Sequence, residues 1–70
     1  MKGRDYMKVK IENINAEMAR QNFSIAEMAK ELSLSYQGFY HKIKGNRKFT
    51  ADEIINLARV LKVDVNIFFN

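Results

Sequence analysis

Apolar residues recur at helical intervals along most of the chain. Ile11, Ile14 and Met18 follow an i, i+3, i+7 pattern and predict a first helix over 11–21. Ile25, Met28, Ala29 and Leu32 predict a second over 25–32. Phe39 and Ile43 predict a third over 36–44, which Gly45 ends as a left-handed cap. Ile54, Leu57, Ala58 and Leu61 predict a fourth over 51–62. Val65, Ile67, Phe68 and Phe69 predict a short fifth. The polar residues between these runs mark where helices start. Ser24 with Glu27 reads as a capping box, with Phe23 and Met28 as its hydrophobic staple. Thr50 with Glu53, between Phe49 and Ile54, repeats the same grammar. Ser35 and Asp64 offer simpler caps. The one β-branched cluster, 63–67, is too short to argue for a sheet. The expectation is an all-α, compact bundle of four to five short helices, with Met18, Met28 and Phe49 in its core.

Composition narrows this only slightly. Seventy residues make one domain, and no cysteine is present to staple it. With a single histidine, His41, a multi-histidine metal cluster is excluded, and no cofactor or metal is expected. No apolar run approaches the roughly 20 residues needed to cross a bilayer, and no apolar h-region follows the basic start MKGRDYMKVK. A soluble cytoplasmic protein is expected, with no membrane partner.

Charge adds more. Of the net +4, residues 1–10 hold Lys2, Arg4, Lys8 and Lys10 against Asp5, whereas 35–50 hold Lys42, Lys44, Arg47 and Lys48 with no acid. Segments 11–34 and 51–70 are both net acidic. Basic charge concentrated in two places points to a polyanion partner. Residues 1–10 read as a flexible basic arm and 11–70 as the folded domain.

The second and third helices are joined across Ser33-Leu34-Ser35. So tight a turn forces a steep crossing, as in a helix-turn-helix. Ala29 supplies the small residue at the crossing, and Met28, Leu32, Leu34 and Phe39 face the rest of the domain. The run SIAEMAKELSLSYQGFYHKIKG, followed by FTADEIINLARVLKVDVNIFF, resembles the Cro/phage-repressor family of helix-turn-helix regulators. It is most similar to small regulators of Gram-positive phages and mobile elements, which share runs of the form Y-x-K-I-x-G, F-T-x-x-E-I and a terminal I-F-F. The resemblance covers about residues 11–69. It implies a lambda-repressor-like bundle whose third helix enters the major groove of DNA.

Five positions depart from that pattern. Ser33 stands where many relatives have a turn glycine. Ile25 replaces a glutamine that contacts DNA. Met18 and Ile43 replace an arginine–glutamate pair. Lys42 sits where an apolar residue is usual.

With Phe39 and Ile43 facing the core, the opposite face of the third helix offers Tyr36, Gln37, Tyr40, His41 and Lys44. Base contacts are expected from Tyr36, Gln37, Tyr40 and His41, with Gly38 allowing close approach. Phosphate contacts are expected from Ser24, Ser35, Lys42, Lys44, Asn46, Arg47 and Lys48. Ile67, Phe68 and Phe69 cannot all face inward on a short helix, so a homodimer contact is expected there. The implied partner is a near-palindromic double-stranded DNA operator, and the implied role is transcriptional regulation, as a repressor. A chain of this size leaves no room for a sensor domain, so no small-molecule ligand is expected. The rival reading is an antitoxin or anti-regulator that keeps the fold but binds a protein. An enzyme is not expected, because no nucleophile–base set, metal cluster or glycine-rich phosphate loop is present.

Overall fold

The computed structural model of the chain describes residues 9–69. Four α-helices, α1 (Ile11–Arg20), α2 (Ile25–Glu31), α3 (Tyr36–Ile43) and α4 (Ala51–Leu61), precede a 3-10 helix, Val65–Phe68. Each α-helix ends a residue earlier than its apolar pattern, and the last element is a 3-10 helix instead of an α-helical turn.

The helix starts follow from the caps. Ser24 Oγ accepts from the Glu27 amide at 3.0 Å, and the Glu27 carboxylate accepts from the Ser24 amide at 2.9 Å. These bonds hold the Glu27 carboxyl below its ordinary range, with the Ser24 amide as the larger cause and the Ser24 hydroxyl as the smaller. Thr50 and Glu53 form the same reciprocal pair at 3.2 and 2.9 Å. Ser35 Oγ accepts from the Gly38 amide at 3.0 Å, and Asp64 from the Asn66 amide at 2.9 Å. Among the described residues, only α1 starts without a side-chain cap, at Lys10.

All four α-helices stop the same way. A residue with positive φ follows the helix: Asn22 (63°), Ser33 (58°), Gly45 (87°) and Lys62 (58°). The amide after each turns back to a carbonyl five residues earlier: Phe23 to Met18 (2.8 Å), Leu34 to Ala29 (2.8 Å), Asn46 to His41 (2.8 Å) and Val63 to Ala58 (3.0 Å). These are Schellman closures, which satisfy orphan carbonyls and reverse the chain within a few residues. Gly45 adopts its conformation freely. Asn22, Ser33 and Lys62 do so against the steric cost of a Cβ.

Short turns bring the apolar faces together. Ile14, Met28, Phe39, Phe49, Ile54, Leu57, Leu61 and Phe68 are fully buried. Phe39 and Phe49 meet edge to face with centroids 6.2 Å apart. Ala29 is buried within α2, the helix that packs most extensively on α3. Met18 and Ile43 lie in the same core.

Polar ties close the domain. The Lys10 amide donates to the Phe68 carbonyl at 2.8 Å, and Asn13 Nδ2 donates to the Ile67 carbonyl at 2.8 Å. Val9 packs half-buried against the core. Residues 9 and 10 therefore belong to the packed domain, which corrects the expected arm boundary at residue 10. The remainder of the expected arm, 1–8, lies outside the described residues. Gln21 Nε2 donates to the Leu61 carbonyl at 2.8 Å and to the Glu17 carboxylate at 2.9 Å. Glu17, buried on α1, also pairs with Arg20. Among the described residues, no helix is long and apolar enough to cross a membrane.

Candidate nucleic-acid interface

The burial of Phe39 and Ile43 fixes how α3 is rotated. Four residues apart, they define the inward stripe, and the side of the helix opposite them faces away. Tyr36, Gln37, Tyr40 and Lys44 are exposed, while Gly38 and His41 are half-buried. Tyr36 is 52% exposed and Tyr40 37%. Their rings stack, 6.1 Å between centroids and 16° between planes. Lys44 Nζ lies over the Tyr40 ring, 5.4 Å from its centroid. His41 meets Tyr40 edge-on at 5.8 Å, and its Nδ1 lies 3.5 Å from Asn46 Nδ2. The structure therefore brings Tyr36, Gln37, Tyr40, His41 and Lys44 onto one surface, with Asn46 at its edge.

Gly38 has a reason inside the chain. A Cβ built there lies 2.9 Å from Ser35 Oγ, the atom that caps the helix. Its small size keeps the cap undisturbed, whatever it does for an approaching ligand.

After α3, the exposed residues Asn46, Arg47 and Lys48 continue the basic surface. Arg47, Lys48, Lys42 and Thr50 line an open concavity of about 370 Å³. Ser24 and Ser35 are exposed and act as caps, each accepting an amide of its own helix.

Two expected assignments are corrected. Lys42, expected as a free cation for phosphate, is engaged within the chain. It is half-buried and its ammonium pairs with the Glu53 carboxylate, joining α3 to the start of α4. Glu53 thus serves two partners, since the same carboxylate accepts from the Thr50 amide. Phe68 offers no surface to a second copy, because it is fully buried beneath α1 and α4 in the core. Ile67 and Phe69 are half-buried and keep part of their surface outward.

The sequence reading missed Ile55, which is 52% exposed on α4. The signal was present: Ile54 and Ile55 are adjacent on one helix, and only one can face the core.

No protein-family model matches the chain, and no curated protein or solved structure matches it either.

Proposed function

We propose that this chain is a sequence-specific double-stranded DNA-binding regulator of transcription, a repressor that lays α3 in the major groove. One observation carries the reading: α3 turns a polar and aromatic face outward, with no acid on it, and runs directly into an exposed basic loop. The major groove admits a helix and displays donors and acceptors that Gln37 can pair with at adenine. Backbone phosphates call for cations beside that helix, and Lys44, Arg47 and Lys48 stand there. The resemblance of residues 11–69 to Cro-type regulators agrees with this assignment. Ile67 and Phe69 give the contact between two copies, so that two α3 helices reach half-sites about 34 Å apart on a near-palindrome.

The test separates reading from holding. Base contacts carry sequence information and phosphate contacts do not. Gln37→Ala should cost about 1–3 kcal/mol on the preferred duplex and little on random duplex. Lys48→Ala should weaken both alike and lower the salt slope by about one. If Gln37→Ala weakens both equally, α3 is not the reading helix. If neither change affects duplex binding, the protein-binding reading replaces this one.

A further inference from the structure

The outward face of α3 is organised more tightly than groove reading alone requires. Residues 36, 40 and 44 lie one turn apart, and their side chains form a continuous ladder. The Tyr40 ring is held between the stacked Tyr36 ring one turn earlier and the Lys44 ammonium one turn later. Tyr40 is 37% exposed, and Tyr36, with one such neighbour, is 52% exposed. Such a ladder loses little freedom on binding, because each tyrosine has only two side-chain torsions to order.

We propose that Tyr36 and Tyr40 select thymine, packing on the C5-methyl groups of thymines in the major groove. This rests on the DNA-reading role of α3 proposed above. The warrant is chemical. A tyrosine hydroxyl both donates and accepts, so it discriminates poorly among base edges. An aromatic ring discriminates only against polar surroundings, and the thymine methyl is the apolar group that the major groove presents. The ring centroids are 6.1 Å apart. Successive bases of one strand rise about 3.4 Å, so the two contacted thymines lie within about two base steps. Stacking of unpaired bases would require open ring faces, and the ladder has used those of Tyr40 on its own neighbours.

The experiment uses the intact chain and duplexes that it enriches from a random pool. Each thymine of an enriched half-site is replaced singly by deoxyuridine, which removes the methyl and preserves pairing. Two positions, within two steps of each other, should each lose about fourfold in affinity, the equilibrium equivalent of unburying one methyl-sized group. Tyr36→Ala should abolish the uracil effect at one position and Tyr40→Ala at the other, while Tyr40→Phe retains it. Both tyrosines lie outside the core, and unchanged circular dichroism confirms that the variants fold. An enriched duplex whose thymines all tolerate uracil overturns the thymine assignment and leaves DNA reading intact. If no duplex is enriched, or single strands bind more tightly than duplex, DNA reading itself falls and the thymine assignment with it.

Discussion

Replacing Lys42 by methionine isolates what the Lys42–Glu53 pair does. In the folded chain the side chains of Lys42 and Glu53 are only 13% and 18% exposed. Exposed ion pairs contribute about 0.2–1 kcal/mol. Removing one partner of a fully buried pair costs about 3–5 kcal/mol, because the other charge is left unmatched. This pair lies between those limits, and Glu53 keeps its bond from the Thr50 amide. Lys42→Met should therefore destabilise by about 1–3 kcal/mol. For a domain of this size each kcal/mol lowers Tm by about 4–8 °C. Adding Glu53→Gln removes the stranded charge and preserves the capping acceptor, since glutamine fills that place in a capping box. The double variant should recover at least half of the loss. Urea unfolding followed by circular dichroism reads both values. The same Lys42→Met protein should keep the wild-type salt slope of duplex binding, because its ammonium is engaged by Glu53. A single variant as stable as wild type would refute the pair as an energetic link. A salt slope reduced by about one would return Lys42 to the phosphate-contacting set.

Ser33→Gly should raise stability by about 1 kcal/mol, because Ser33 holds φ 58° against its own Cβ; an unchanged urea midpoint would refute the strain. Phe69→Lys should weaken cooperative binding to a two-half-site duplex and shift sedimentation toward monomer, with helical content unchanged; unaltered sedimentation would remove Phe69 from the proposed dimer contact. The Glu27 carboxyl, held below its ordinary range by Ser24, contributes stability above pH 4.5 that is lost as pH falls through its lowered folded value. Glu27→Gln should flatten that acid limb of the stability curve, and a parallel curve would show the capping bond to be energetically silent.

Much of this arrangement is legible in the sequence because helix starts and buried faces are local signals. Ser24 with Glu27 and Thr50 with Glu53 can be recognised from spacing alone, and both close as reciprocal bonds. The rotation of α3 likewise follows from Phe39 and Ile43. The helix ends were less visible. Gly45 announces its turn, but Asn22, Ser33 and Lys62 adopt the same backbone conformation without glycine, because the closing bonds and the packing of Phe23, Leu34 and Val63 outweigh the steric cost. Long-range polar ties were not legible at all. Lys42 and Glu53 are 11 residues apart, and Gln21 and Leu61 are 40 apart. No local pattern specifies such partners. Lys42 read as a free cation for this reason, although its place among apolar positions marked it as unusual. Phe68 was one of three adjacent apolar residues, and the 3-10 geometry decided which of them turned inward.

The salt dependence of duplex binding tests the DNA-binding proposal most directly. Lys44, Arg47 and Lys48 form the exposed cationic set around α3. If each engages a phosphate, log K against log salt falls with a slope of about −2.7 per protomer from these residues, at about −0.9 per contact. Replacing all three by alanine should remove that part of the slope while leaving the fold intact. Duplex binding that is absent, or that stays flat from low to high salt, would contradict the account.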